Sequence, residues 1–461
     1  MRKAIVLLVT ALSIVSMQAQ QQGFVHESSK EYTWPEEKDV LAKLDKWQDL
    51  KFGVLFHWGL YSVPGIVESW SICSEDVDWI PRDSTQGYNE YKKWYWGLKD
   101  KFNPTEFNPE QWAKVCNDAG MKYMIFTTKH HDGFNMFDTK QSDFSIAHGA
   151  FRDNPRADVA KYVFDAFRPY NFMIGAYFSK PDWHSEYYWW PRYATPTRNV
   201  NYKIENHPNR WESYKQFTFN QLSELMHGYG NIDILWLDGG WVAAPRQDID
   251  MDRIATMARE AQPGLLMVDR TIHGKYENYQ TPERSIPDKQ KPYPWESCIT
   301  LSNDWGWVPN APFKSPEKVI NMLAEVVAKG GSLLLGVGPT PEGIIQPEVV
   351  ERLQVIGAWL KVNGEAIYNT RTTPDYHSGN VWFTANKDEK TLYAIYALPE
   401  GESLPDVIEW EGNVPKKNAT IELLQNGKKL RWSTEGNKVK VFLPKGSVAN
   451  KSIAMSFRIE K

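Results

Sequence analysis

Carboxylates and imidazoles recur at the ends of apolar runs in this chain. His57 and Trp58 end "FGVLFHW" (52–58), and Lys129, His130, His131 and Asp132 close "KYMIFTTKHHD" (122–132). Tyr177 lies in "FMIGAYFS" (172–179), Asp238 in "IDILWLDGG" (232–240), and Asp269 and Arg270 close "GLLMVDR" (264–270). Glu296 stands at one end of "WESCITL" (295–301). A single strand-terminal His is more often a hydrogen-bonded structural group than a catalyst, but here such groups recur from run to run. Asp238 is the sharpest case. Its apolar run would carry a carboxylate toward a protein interior, where an unpaired charge costs several kcal/mol, so the position implies a task.

Three chemistries compete for these groups. Metal binding is disfavoured, because no H-x-H or H-E-x-x-H spacing occurs and adjacent residues of a strand, such as His130 and His131, point to opposite faces. A serine hydrolase is disfavoured because no G-x-S-x-G elbow appears. Carboxylates set among His, Trp and Arg in an apolar pocket suit glycoside hydrolysis, in which one carboxylate attacks and another protonates the leaving oxygen. On that reading Asp238 is the nucleophile.

The elements that position these groups alternate. Strand-like runs from "FGVLFHW" to "GSLLLGVGP" (331–339) are separated by helical patterns such as "NPEQWAKVCNDAG" (108–120), with Pro109 in its first turn, and "SPEKVINMLAEVVAKGG" (315–331), with Ser315 as N-cap. Such alternation predicts an α/β fold, a (β/α)8-like barrel whose strand C-termini open onto the active site. A Rossmann sheet is the rival, but no G-x-G-x-x-G follows any strand. From about 372 onward, short alternating runs ("VWFTAN", "TLYAIYAL", "KVKVFLP") between turn clusters predict a C-terminal antiparallel β-sandwich, either a cap on the barrel or a sugar-binding module. The expected organisation is a secretory signal at 1–19, a catalytic barrel at 20–370 and the sandwich at 371–461. The signal rests on Arg2 and Lys3, the apolar stretch after them, and Ala19. It implies export to the periplasm or the extracellular space.

Composition narrows the partners. The chain has 461 residues, a net charge of −4 and interspersed charges, which argues against nucleic acid. No apolar run after the signal reaches the ~18 residues a membrane span requires. Three cysteines without C-x-x-C spacing give no disulfide framework or zinc motif, and no cofactor is expected. Aromatic residues make up 14 %, including 21 Trp. Indole and phenol faces stack on sugar rings, so the excess points either to a carbohydrate ligand or to an unusually aromatic core.

The ordered motifs "FHWGLYSVPG", "TTKHHDGF", "ILWLDGGW" and "KGGSLLLGVGPTPEGII" resemble those of the family 29 exo-alpha-L-fucosidases. The resemblance covers the barrel and continues into the sandwich. It implies a retaining double displacement on terminal alpha-L-fucose with Asp238 as nucleophile and Trp236 beside it as a sugar contact. It also implies that His57, His130 and His131 bind fucose hydroxyls, that Glu68 and Trp70 of "VESWS" add sugar contacts, and that Tyr177 faces the sugar. The acid/base lies on a variable segment. Glu296 in "PWESC", following and buried beside Trp295, is the expected residue, with Arg284 as its partner and Trp305 as an apolar wall for the sugar's methyl group; Glu283 and Glu277 are held in reserve. The rival functions are a noncatalytic fucose-binding protein and a retaining glycosidase for another sugar such as galactose.

Overall fold

A computed structural model describes residues 32–73, 87–444 and 454–460; the expected signal segment lies outside them. Seven runs form one parallel sheet: β1 (Phe52–Phe56), β2 (Tyr123–Lys129), β3 (Met173–Ser179), β4 (Ile234–Asp238), β5 (Leu266–Asp269), β6 (Glu296–Thr300) and β7 (Ser332–Val337). Their order is β5-β4-β3-β2-β1-β7-β6. Burial on both faces explains the mainly apolar content of most of these strands, because helices cover the outside and side chains fill the inside; β6 (ESCIT) is equally buried but carries Glu296, Ser297 and Thr300.

Eight helices accompany the sheet among the described residues: α1 (Lys38–Leu50), α2 (Tyr88–Trp96), α3 (Pro109–Asp118), α4 (Val159–Phe167), α5 (Pro208–Gly228), α6 (Met251–Ala261), α7 (Pro316–Ala328) and α8 (Pro347–Asn363). Two begin as their sequences predict. Asn108 Oδ1 accepts from the Gln111 amide before α3, and Ser315 Oγ from the Lys318 amide before α7, each followed by Pro at the first helical position.

The curled sheet has seven regular strands where eight were expected. The place between β5 and β6 is taken by residues 276–284, which run as extended chain. On one side the Asp269 amide donates to the Tyr276 carbonyl and the Asn278 amide to the Met267 carbonyl, both at 2.9 Å. On the other the Glu296 amide donates to Gln280 (2.7 Å), the Cys298 amide to Pro282 (3.2 Å) and the Arg284 amide to Cys298 (2.8 Å). Pro282 has no amide proton to give, which is one reason that a continuous ladder does not form here.

The interior is layered. At the N-terminal ends of the strands, Trp47 of α1 stacks on Tyr279 at 4.0 Å and meets Tyr123 edge-on at 6.1 Å, closing that end. Above lie Leu55, Ile125, Ile234, Val268, Cys298 and Leu334, and then Trp236 and Tyr177. The strand beginning at Thr370 already pairs with Ala385 and Asn386, so the second unit starts there. It is an antiparallel sandwich of a seven-stranded and a three-stranded sheet, closed over a core that includes Phe383, Trp410, Val441 and Ile459. It docks on α8 through Trp359 Nε1, which donates to the Ala454 carbonyl at 2.9 Å. It meets α1 through Arg371 and Lys387, both paired with Asp45 and Asp49. No helix among the described residues is long and apolar enough to cross a membrane.

Candidate active site

Asp238 is the last residue of β4, and the chain turns sharply after it. Gly239 has φ +87°, and a Cβ there would lie 2.3 Å from Pro181 Cδ, so only glycine allows the turn. The carboxylate is held from two sides. Arg270 Nη1 donates to Oδ1 at 2.8 Å, Tyr177 Oη donates to Oδ2 at 2.6 Å, and His131 Nε2 lies 3.8 Å from Oδ2. These donors compensate the cost that the apolar run implied.

Arg270 directly follows β5 and is the hub of the site. Its Nη2 donates to Glu283 Oε2 at 2.9 Å, its Nε donates to Thr281 Oγ1 at 3.0 Å, and its guanidinium lies 4.3 Å from the Trp236 ring centre. Burial acts to lower its pKa, but the carboxylates of Asp238 and Glu283 outweigh burial and hold it cationic. Glu283 also accepts from Trp305 Nε1 at 3.0 Å. The Asp238 and Glu283 side chains are 15 % and 18 % exposed, so both open to the mouth of the barrel. One guanidinium thus joins two accessible carboxylates, compatible with the separation of about 5–5.5 Å of retaining glycosidases.

Three imidazoles form the opposite wall. His57 lies between Trp305 (5.3 Å) and Tyr177 (5.2 Å), and its buried Nδ1 has no partner among the described residues. His130 Nδ1 hydrogen-bonds with Ser69 Oγ at 2.5 Å, and His131 Nδ1 with Ser179 Oγ. Burial holds all three neutral at pH 7: it lowers His130 to about 4 and takes His57 and His131 well below the usual histidine value. Neutral imidazoles are suited to bind hydroxyls, His130 and His131 with one nitrogen already engaged and His57 with Nδ1 open. His130 and His131 lie past the end of β2, where strand alternation no longer applies. Their rings are 4.3 Å apart and face the same site, contrary to the opposite-face expectation.

The segment "ESW" contributes three separate contacts. Glu68 Oε1 accepts from the amides of Trp305 and Gly306, both at 2.9 Å, and burial raises its pKa to about 7. Ser69 fixes His130, and Trp70 meets His131 edge-on at 5.0 Å. Trp70 also bounds an aromatic rim with Trp183 and Trp241.

Four expectations change. Glu296 opens β6 and is therefore at the wrong end of a parallel strand for chemistry at the mouth. It is 0 % exposed, accepting from Tyr123 Oη at 2.8 Å and Trp236 Nε1 at 3.2 Å beneath Arg270. Trp295 does not shelter that carboxyl, since it lies on the outer face, donating to the Lys329 carbonyl. Arg284 does not pair with Glu296; its guanidinium lies 5.8 Å from the Trp305 ring. Trp236, 1 % exposed, is a floor under Arg270 rather than a wall in contact with sugar. The reserve residue Glu277 accepts from the Thr271 amide at 3.0 Å and braces a loop. Glu283 is the carboxylate that reaches Asp238's surroundings. Arg270 was visible in the sequence only as a strand-end residue; Ser69, Ser179 and Thr281 gave no signal. Among the described residues no group of three His, Cys, Asp or Glu could hold a metal ion.

This geometry can be set against known proteins. The family model for alpha-L-fucosidase matches residues 18–365, and that for the alpha-L-fucosidase C-terminal domain matches 374–460. The chain belongs to the alpha-L-fucosidase family. It is 31 % identical to the plasma alpha-L-fucosidase of Homo sapiens over 431 residues, covering 87 % of this chain and 86 % of the relative. Among solved structures it is similar to alpha-L-fucosidase isoenzyme 1 from Paenibacillus thiaminolyticus, with a TM-score of 0.76, 27 % identity and coverage of 92 % and 99 %. The Thermotoga maritima alpha-fucosidase in complex with fucose matches with a TM-score of 0.73, 26 % identity and coverage of 93 % and 100 %.

Proposed function

We propose that this alpha-L-fucosidase removes terminal alpha-L-fucose from glycans or glycoconjugates by retaining double displacement, with Asp238 as nucleophile and Glu283 as acid/base. The observation that carries the assignment is the Arg270 clasp, which brings these two accessible carboxylates together at the barrel mouth. Asp238 attacks the anomeric carbon while Glu283 protonates the departing oxygen, giving a beta-fucosyl enzyme. Glu283 then takes a proton from water, which attacks the same carbon and regenerates Asp238. In the unliganded site the guanidinium favours the ionised form of both carboxylates. Sugar binding must therefore loosen the Arg270–Glu283 contact so that Glu283 can carry its proton.

His57, His130 and His131 offer donors and acceptors to the sugar hydroxyls, while Trp305 gives the apolar face that a C6 methyl group requires. A noncatalytic fucose-binding protein would need neither carboxylate, and a galactosidase would find an apolar wall where its sugar carries a hydroxymethyl group. The test is a panel of nitrophenyl glycosides with wild type and Asp238→Gly. Cleavage of the alpha-L-fucoside by wild type alone supports the reading; equal cleavage of the galactoside, or activity that survives in Asp238→Gly, overturns it. Export through residues 1–19 is part of the same proposal, supported by Arg2, Lys3 and the apolar stretch that follows. Cell fractionation with N-terminal sequencing of the mature protein tests it, and a cytoplasmic chain retaining Met1 would refute it.

A further inference from the structure

Glu296 is a carboxyl group with no exposure, inside the barrel, that the proposed mechanism does not use. An apolar side chain of the same volume would fill this position without the cost of burying a polar group. The groups facing it are Tyr123 from β2, Tyr279 and Arg270 from the chain around β5, Cys298 from β6 and Trp236 from β4. Of these, Trp236 leads to the site. Its indole Nε1 donates to Glu296 Oε1 at 3.2 Å, the Arg270 guanidinium rests 4.3 Å above the ring, and the Tyr177 ring stacks against it at 5.3 Å. Arg270 and Tyr177 are the two donors that hold Asp238, and Arg270 also holds Glu283.

We propose that Glu296 is a positioning residue: from one layer below the site it fixes the plane of the Trp236 indole, and through that plane it sets the height and direction of the Arg270 clasp. An indole in a close-packed strand can still rock about its side-chain torsions. The hydrogen bond at Nε1 removes that freedom, and among the described residues the other side-chain restraints on the guanidinium below the two carboxylates are Thr281 Oγ1 at 3.0 Å and a long contact to Cys298 Sγ at 4.0 Å. Loss of the acceptor tilts the floor and moves both carboxylates from their working geometry, while the imidazoles that bind hydroxyls keep their own Ser69 and Ser179 partners. Turnover therefore suffers and sugar binding does not. Burial raises the Glu296 pKa to about 7, so the group accepts from Trp236 through one oxygen whether or not the other is protonated.

The inference rests on the fucosidase reading above, and its test separates the two. Steady-state kinetics on nitrophenyl alpha-L-fucoside are measured for wild type, Glu296→Leu, Glu296→Gln, Trp236→Phe and the Trp236→Phe/Glu296→Leu double variant, with circular dichroism and thermal melting as folding controls. Glu296→Leu is expected to lower kcat about 10–100-fold with KM little changed, the scale of a displaced catalytic group. Glu296→Gln, which keeps an acceptor for the indole, restores kcat to within about threefold, a penalty under 1 kcal/mol at about 1.4 kcal/mol per tenfold. Trp236→Phe reproduces the Leu loss, and the double variant loses nothing further, because both changes break one chain of contacts.

A folded Glu296→Leu enzyme with wild-type kcat overturns the inference, as does a double variant whose losses multiply. A Glu296→Leu loss that azide reverses, with alpha-fucosyl azide as product, overturns it in another way by returning the acid/base role to Glu296. If Glu296→Leu does not fold, Trp236→Phe alone decides: unchanged kcat refutes the proposal. A wild type inactive on fucosides would instead refute the functional reading.

Discussion

Replacing Arg270 with Met is the most searching perturbation of this site, because it removes the cation and leaves a side chain of similar reach. Arg270 contacts Asp238 at 2.8 Å and Glu283 at 2.9 Å, with all three groups largely buried. With charge centres about 4 Å apart and an effective dielectric of about 20, each attraction amounts to about 4 kcal/mol before desolvation is counted. The two carboxylates, about 5 Å apart, then repel each other by about 3 kcal/mol in the same medium. The variant relieves this by retaining a proton on the pair. An adjacent guanidinium lowers a carboxyl pKa by about 1–3 units, so its removal shifts the ionisation that creates the nucleophile upward by the same amount. That shift corresponds to about 1.4–4 kcal/mol, within the bound set by one lost attraction. The sign is fixed: the nucleophile is competent only when ionised, so activity falls as pH drops through its pKa, and raising that pKa moves the acid limb of kcat/KM to higher pH. The assay is the pH profile of kcat/KM on nitrophenyl alpha-L-fucoside, where the variant is expected to lose about 10–1000-fold on the acid limb, toward pH 5, and to recover part of it toward pH 8. An acid limb that stays in place, with activity within tenfold of wild type, would show that Arg270 does not govern the pair.

Three further outcomes follow from the same geometry. Asp238→Gly should lower turnover by about 10⁴-fold or more while fucose still binds, measured by calorimetry, and azide should give the inverted beta-fucosyl azide; more than a tenth of wild-type turnover would remove Asp238 from its role. Glu283→Ala should cost poor leaving groups about 10²–10⁴-fold and activated nitrophenyl substrates far less at bond cleavage, with azide producing the retained alpha-fucosyl azide; equal losses on both and no rescue would refute the acid/base assignment. Early-time NMR should show alpha-fucose as the first product, and beta-fucose appearing first would exclude double displacement.

Much of this was legible in the sequence, and the failures have physical causes. Most of the sheet strands could be read because burial on both faces favours apolar runs, and Asp238 stood out because such a run should not end in a carboxylate. The closing segment 276–284 could not be read. Its pairing is irregular and contains Pro282, so it lacks the apolar run that marked the true strands. Glu283 lies at the end of that unreadable segment, and its role depends on where the segment sits rather than on local pattern. Glu296 was attractive because it follows Trp295, yet in a strand consecutive side chains face opposite ways, and here the Trp went outward and the Glu inward. One available signal was missed: Glu296 begins its strand, and in parallel barrels chemistry belongs to the other end.

The site also shows how a barrel can place groups where regular strands would not. Three non-glycine residues with positive φ stand in or beside it: Glu68 at 30°, Thr271 at 63° and Arg284 at 52°. Thr271 follows Arg270, Arg284 follows Glu283, and Glu68 holds the amides of Trp305 and Gly306. Such conformations cost about 1–3 kcal/mol each, most for a β-branched residue such as Thr271, and persist only where neighbouring contacts impose them. The contacts are present: Glu277 accepts the Thr271 amide, and the Arg284 amide is tied to the Cys298 carbonyl of β6. Each strained residue therefore turns the chain at the point where a functional side chain must leave it, and a carboxylate or a strand carbonyl holds the turn. The strain lies in the loops and the opposing bonds in the frame, so the backbone positions from which Arg270 and Glu283 project beside Asp238 are set before a sugar arrives.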